Sequence, residues 1–407
     1  MGRPEPPVPV DLGDQPTIAV VKLGDLGDVL LVTPLLDALR TRYPGARILA
    51  VARASGAEVL TGNPAVDRTV IVPASRGLGS VAATFRSALT LRREAVDALV
   101  IAHHLTLPSG ARNQRCLAAV VNAGVTVGLD NGRGSFLTHR LRDRGFGAIP
   151  EWQYWLEVGR LLGAPARGRP YVAISTAARA AAAEMLAPLG GRPMVAIHPV
   201  VGAYGPSRAW PLDRFAAVAS NLDAAGYGII LVGGLDALPA ARRMFPGLDT
   251  PVNLAGQTSI AELAAVLDRA ALVIGADSGV VHLAATLNRP TLALFGPSNH
   301  RAWAPFGAQW LSDDHQTPST NSATAGVQVL RTGLPCSPCF YIGHTLGRPN
   351  GCSTRSCLAD LSVEAVVKVA RRMLMSAGGV EYAGAKRRLV EDAATREAEE
   401  RWRRPGG

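Results

Sequence analysis

Thr17–Arg40 reads TIAVVKLGDLGDVLLVTPLLDALR and divides into three parts. The apolar run Ile18 to Val21 predicts a strand, Gly24 and Gly27 mark a tight turn, and Asp28 stands at the mouth of a long helical pattern. In such a unit the loop backbone can approach a ligand closely, and the helix N-terminus offers unpaired N–H donors. An acid at that mouth either caps its own helix or acts on something bound beside it. Pro34 interrupts the pattern near Asp28–Tyr43, which predicts either a kink or a fresh helix capped by Thr33.

The alternation continues outward from this stretch. Strands are predicted at Arg47–Ala52, Arg68–Val72, Ala98–Ala102 and Thr126–Gly128, with helices near Gly79–Arg93 and Asn113–Ala123. A second series begins after the alanine-rich segment Ser175–Leu186. It places strands at Met194–Pro199, Gly228–Val232, Ala271–Gly275 and Thr291–Phe295, and helices at Pro211–Ala225, Ser259–Ala270 and Gly279–Leu287. Strands alternating with helices imply parallel α/β sheets. Because the series restarts, two Rossmann-like domains joined near residues 165–190 are expected. The expected division is a disordered lead over 1–16, domains over 17–175 and 190–360, and a C-terminal helix and charged tail over 361–407. Glu381–Arg404 within that tail reads as an exposed helix rich in i,i+4 charge pairs.

At 407 residues, 48% hydrophobic and 18% charged, the chain has the composition of a globular protein with room for two cores. No apolar run is long enough to cross a bilayer, and the proline-rich start does not read as a signal peptide, so a cytoplasmic protein is expected. The net charge of +10 lies in the body, since Glu381–Gly407 carries seven Lys/Arg against six Asp/Glu. A basic body suits a phosphorylated substrate, an anionic membrane surface or nucleic acid, or is simply a solvated arginine-rich surface. With no run of five like charges and no basic stripe interleaved with aromatics, nucleic acid fits worst.

Two further junctions could carry chemistry. In IHPVVGAYGPSRAWPLDRF, Ile197–Phe215, a strand ends at His198 and a Gly/Pro/Ser loop presents Arg208 just before a helix. An arginine there suits a phosphate, which it can hold bidentately, or it is a surface residue. In ALVIGADSGVVHLAATL, Ala271–Leu287, a strand leads into Asp277, Ser278 and Gly279, and His282 lies on the first turn of the helix. Asp277 and Ser278 could be plain N-caps, but four such residues at one mouth also suit a pyrophosphate and its sugar.

Four of the five cysteines give Cys336-x2-Cys339-x12-Cys352-x4-Cys357. This is either a structural tetrathiolate site for Zn²⁺ or iron, or a loop of reduced thiols. Cys116, in a helical apolar pattern, is expected to be a buried core thiol.

The junctions together resemble glycosyltransferase family nine, the ADP-heptose-dependent heptosyltransferases. The words that carry the resemblance are KLGDLGDVLLVTPLLDALR with YPGARI, IHP…SRAWPLDRFAAVA, LVGG, NLAGQTSIAELAAVLDRAALVIGADSGVVHLAATLNRPTLALFGPSN and PCSPCF, in order over residues 17–375. The resemblance implies a GT-B fold, two Rossmann-like domains facing across a cleft. It also implies inverting sugar transfer with the acceptor held mainly by the first domain and the nucleotide sugar by the second. By the same resemblance Asp28 is the catalytic base, and Arg208, Asp277, Ser278, Gly279 and His282 bind the donor. Asp236, after the Val-Gly-Gly turn, matches a ribose-binding acid loosely, and His103, His104 and Arg133 are candidates on the acceptor side. The implied partners are ADP-heptose and a glycan or lipid-linked acceptor, with peripheral association at the inner face of the plasma membrane. No cofactor is implied for catalysis. A protein-heptosylating branch of this family binds iron through cysteines.

A nicotinamide-dependent dehydrogenase is disfavoured, because the first loop is G-D-L-G-D and lacks the G-x-G-x-x-G spacing. A GT-B transferase using another nucleotide sugar, or acting on a protein or small metabolite, remains an alternative. So does a non-catalytic nucleotide-sugar sensor, which would bind donor without releasing nucleotide diphosphate.

Overall fold

The computed structural model describes residues 9–73, 78–202, 204–244, 246, 248, 251–310 and 326–376. The first sheet contains β1 (Thr17–Lys22), β2 (Arg47–Arg53), β3 (Arg68–Val72), β4 (Ala98–Ile101), β5 (Val125–Asp130) and β6 (His139–Arg142). Its order is β3-β2-β1-β4-β5-β6, with every neighbouring pair parallel. Side chains alternate across β1. Ile18 and Val20 pack with Leu35, Leu36 and Leu39 on one face, and Ala19 and Val21 pack with Leu91, Leu99 and Leu117 on the other. Covering both faces explains why the strand reads as an unbroken apolar run.

The second sheet contains β7 (Met194–His198), β8 (Gly228–Leu231), β9 (Val252–Asn253), β10 (Leu272–Ala276), β11 (Thr291–Leu294), β12 (Gln309–Trp310) and β13 (Val327–Leu330). The order is β12-β13-β11-β10-β7-β8-β9, again wholly parallel. The alanine-rich segment folds as helix Thr176–Leu186, N-capped by Ser175, whose hydroxyl accepts from the Ala178 N–H at 3.1 Å. Its Ala178, Ala182 and Leu186 pack with Leu263 and Val266 of the second unit. A helix through 363–376 adds Val366, Val369, Ala370 and Met373 to that unit's other core.

Several details differ from the sequence expectation. The opening helix is two helices, Leu26–Leu30 and Thr33–Arg42, with Pro34 in the first turn of the second. Val32 takes the cap position expected of Thr33, whose hydroxyl donates instead to the Leu30 carbonyl at 2.8 Å. Cys116 is exposed, not buried. Its helix, Pro108–Val121, turns Ala111, Gln114, Leu117, Ala118 and Val121 inward, and position 116 falls off that face. The expected tail helix Glu381–Arg404, residues 1–8 of the lead and 311–325 of the polar stretch lie outside the described residues. Among the described residues no helix is long and apolar enough to cross a membrane.

The two units meet through their helix mouths. A Cβ added at Gly279 would lie 2.6 Å from Leu26 Cδ2 and 3.2 Å from the Gly27 nitrogen, and one at Gly27 would lie 3.0 Å from His282 Cδ2. Leu30 and Val59 of the first unit join Val280 and Leu283 of the second in one apolar cluster.

Candidate active site

Each sheet reverses its strand order beside its first strand, between β1 and β4 and between β7 and β10. Such switch points leave a crevice at the carboxyl ends of the strands. A histidine spans each one. Leu23 N–H, just past β1, donates to His103 Nε2 at 2.7 Å, just past β4. His198 Nδ1, at the end of β7, shares a 2.9 Å hydrogen bond with Ser278 Oγ, just past β10. Both rings are held neutral. Burial lowers the His103 pKa well below its usual range, aided by the Lys22 charge, and burial alone lowers that of His198 to about 4.

On the first unit's side, Asp25 is the N-cap of Leu26–Leu30, and its Oδ1 accepts from the Ser55 hydroxyl at 3.1 Å. Asp28 lies in the first turn, with its Oδ2 accepting the Asp25 N–H at 3.3 Å and its Oδ1 3.3 Å from Lys22 Nζ. Its side chain folds over Gly24, where a Cβ would come within 2.4 Å of the Asp28 Cβ. Gly24 thus serves the carboxylate, and Gly27 the contact with the opposite unit.

On the second unit's side, Arg208 closes a short 3₁₀ turn, Pro206–Arg208. Its Nη1 donates to the Asp277 carbonyl at 3.2 Å and lies 3.4 Å from Asp277 Oδ2, while its Nε donates to the Gly205 carbonyl. The neighbouring Trp210 is buried and donates through Nε1 to the Leu361 carbonyl at 3.1 Å, which anchors the loop. Ser278 is the N-cap of helix Gly279–Thr286, yet its hydroxyl makes no capping bond because His198 holds it. The first-turn N–H groups are therefore left open to an anion. His282 is buried in that first turn, and its Nδ1 has no hydrogen-bond partner among the described residues. Burial lowers its pKa, the Asp277 and Asp28 charges oppose this, and Arg208 adds to it, so these four groups share one electrostatic neighbourhood.

The remaining candidates are placed as follows. Asp236 is exposed in the 3₁₀ turn Leu235–Ala237 that follows Gly233 and Gly234. Arg133 is exposed, and its Nη1 donates to the Leu105 carbonyl at 3.2 Å. His104 lies between two buried acids, with Nδ1 2.8 Å from Asp143 Oδ2 and Nε2 2.9 Å from Glu151 Oε1.

Sequence reading missed three aromatic and basic groups around the mouth. Lys22 ends β1 as a buried lysine over the Trp155 ring. Its signal was a charge closing an otherwise apolar strand. Tyr204 and Tyr341 flank Arg208. Burial raises both hydroxyl pKa values and the Asp28 charge raises them further, so both rings face the carboxylate's side of the mouth. Tyr341 holds φ at +61°, unusual for a residue with a side chain, and stacks on Phe340 at 3.9 Å. No local pattern marks it.

The expected tetrathiolate is not assembled. Among the described residues no group of three or more His, Cys, Asp or Glu could hold a metal ion. Cys336 is exposed, Cys357 is buried, and all four thiols are free. Burial pushes the Cys339 thiol up and the Cys357 thiol up to about 11, and the neighbouring sulfurs add to both shifts. Without a cation among them, clustered thiols favour the protonated form and do not converge as ligands. The segment instead backs the arginine loop. Ser207 Oγ donates to the Pro349 carbonyl at 2.6 Å, and the N–H groups of Cys339 and Phe340 both donate to the Pro297 carbonyl.

Paired Rossmann-like units with facing strand ends are the architecture of GT-B glycosyltransferases, and a carboxylate on one lip opposite an arginine and an open helix mouth suits transfer from an anionic leaving group. The chain belongs to glycosyltransferase family 9, the heptosyltransferases, whose sequence profile matches residues 115–324. It is 28% identical over 335 residues to lipopolysaccharide heptosyltransferase 3 of Escherichia coli, covering 72% of this chain and 88% of that protein. The fold is similar to a family 9 glycosyl transferase from Veillonella parvula (TM-score 0.69, 23% identity, 89% of this chain and 98% of that one). It is also similar to E. coli heptosyltransferase WaaC with ADP (TM-score 0.60, 19% identity, 88% and 99%).

Proposed function

We propose that this glycosyltransferase moves a heptose or related sugar from an ADP-activated donor to a hydroxyl of a glycan acceptor, by a single displacement with inversion. The relatives named as lipopolysaccharide heptosyltransferases and the WaaC structure with ADP support this choice of donor and of a lipopolysaccharide-type acceptor. The observation that carries the mechanism is the meeting of the two mouths. A Cβ at Gly27 would nearly touch His282, so Asp28 and the helix beginning at Gly279 border one space.

In the step proposed, an acceptor hydroxyl passes its proton to the Asp28 carboxylate as its oxygen bonds the anomeric carbon. The bond from that carbon to the diphosphate breaks, and the diphosphate leaves with the electron pair. Arg208 and the N–H groups following Ser278 oppose the growing negative charge, the work a divalent cation does in other transferases. Asp277 holds Arg208 in place, His282 offers its unpartnered nitrogen to the donor, and Asp236 is the candidate for the ribose. The first unit receives the acceptor, with His103, His104 and Arg133 on that side. An acceptor of this kind would place the enzyme at the inner face of the plasma membrane.

A panel of nucleotide sugars, scored for nucleotide diphosphate release with and without glycan acceptors and with EDTA present, tests donor, acceptor and metal dependence together. Asp28→Asn should keep donor binding while turnover falls by about 100-fold or more, the usual scale of general-base catalysis. Near-wild-type turnover in that variant would remove Asp28 from the role.

A further inference from the structure

We propose that Lys22 is the positioning residue of Asp28, held by tryptophans from both units so that the carboxylate is fixed only when the cleft is assembled. This rests on the reading of Asp28 as the base.

Lys22 closes β1 on the face shared by Ile18 and Val20. It is 6% exposed, and a buried ammonium needs a counter-charge. Its ion-pair partner is Asp28, at 3.3 Å. The ammonium also lies 4.6 Å from the Trp155 ring centroid and 6.0 Å from that of Trp303. Both are within or at the range where an indole face attracts a cation. Trp155 belongs to helix Glu151–Arg160 of the first unit, and Trp303 to helix His300–Trp303 of the second. One cation therefore touches the candidate base and a ring from each side of the cleft.

Asp28 needs such support. It sits on a helix of five residues, and the hydrogen bond to its Oδ2 is long, at 3.3 Å. Lys22 fixes the other oxygen and leaves lone pairs on both for an acceptor hydroxyl. Charge balance favours the same role. The pair is neutral before transfer. Once Asp28 takes the acceptor proton, the uncompensated Lys22 charge rests on the indoles, and the departing diphosphate supplies the opposite charge across the mouth.

The test compares Lys22→Met, Lys22→Arg, Asp28→Asn and the Lys22→Met/Asp28→Asn double variant, with ADP calorimetry as the binding probe and thermal denaturation as the check on folding. Lys22→Met should lower kcat by about 100-fold, the scale of a small misplacement of a reacting group. ADP affinity should stay within about twofold, and the double variant should be no slower than Asp28→Asn alone. Lys22→Arg should restore much of the rate. The proposal is overturned if folded Lys22→Met keeps its kcat while Asp28→Asn is inactive, or if the two losses multiply in the double variant. If Lys22→Met does not fold, Lys22→Gln carries the same expectations. An active Asp28→Asn would instead refute the base reading, whatever the lysine variants do.

Discussion

His104 shows how distant residues decide what one side chain does. Burial alone would lower its pKa, but the Glu151 charge and the hydrogen bonds with Asp143 and Glu151 outweigh that and raise it to about 9. A folded pKa above the unfolded value means that this stabilisation is fully present below about pH 6.5 and is lost as pH rises through about 9. His198, lowered by burial to about 4, acts in the opposite sense, and its contribution is lost as pH falls from about 6.5 towards 4. Urea denaturation across pH should therefore show wild-type stability declining between pH 7 and 9.5. His104→Gln should flatten that decline and lose about 3 kcal/mol or more near pH 6, because two buried carboxylates lose their counter-charge. None of this was legible in the sequence, since the partners of His104 lie 39 and 47 positions away. Asp28, Arg208, Asp277, Ser278 and His282 were singled out because each lies where an apolar run meets a glycine turn, and the structure brings them to one mouth. Lys22 was passed over because a lysine at a strand end usually reaches solvent.

At the scale of elements, the glycines are set by what they must approach. At Gly279 an added methyl would meet the Leu26 side chain at 2.6 Å and the Gly27 backbone nitrogen at 3.2 Å. The first can move, whereas the second can give way only if the two helix mouths part. Gly279→Ala should cost about 1–3 kcal/mol by thermal denaturation, the usual scale of overpacking. It should also lower kcat/KM with an intact glycan acceptor by about tenfold or more, since displaced reacting groups lose their alignment. Wild-type values of both would show that the mouths do not need to touch. The strands flanking these mouths were legible because they are buried on both faces. β6 was not, because His139–Arg142 reads HRLR and sits at a sheet edge with only partly covered side chains. Helix Glu151–Arg160, which buries Tyr154, Trp155 and Val158, also escaped notice, although its apolar spacing is helical. β9 has two residues, too few to show a period.

For the whole molecule, the question is what joins two units that could each fold around a separate core. Part of the answer is Asn299. Its Oδ1 accepts from the Arg301 and Ala302 N–H groups and so caps the helix that carries Trp303. Its Nδ2 donates to the Tyr341 carbonyl at 2.9 Å and to the Phe146 carbonyl of the other unit at 3.2 Å. The fit is close enough to require glycine opposite, for a Cβ at Gly147 would lie 2.5 Å from that nitrogen. Beside it, the Phe146 N–H donates to the Gly343 carbonyl at 2.7 Å. One amide thus caps a helix, ties the hairpin bearing Tyr341 and fastens it to the first unit. Asn299→Ala would leave the cap and two carbonyls without this partner, at about 1–3 kcal/mol for each group that stays buried. The donor-side groups all lie in the second unit, away from the lost Phe146 contact. Thermal denaturation should therefore show a clear loss while ADP affinity by calorimetry changes little. Turnover should fall further than stability alone explains, because Trp303 loses its anchor beside Lys22. If stability and turnover both match wild type, the join between the units rests on the glycine mouths and not on this amide.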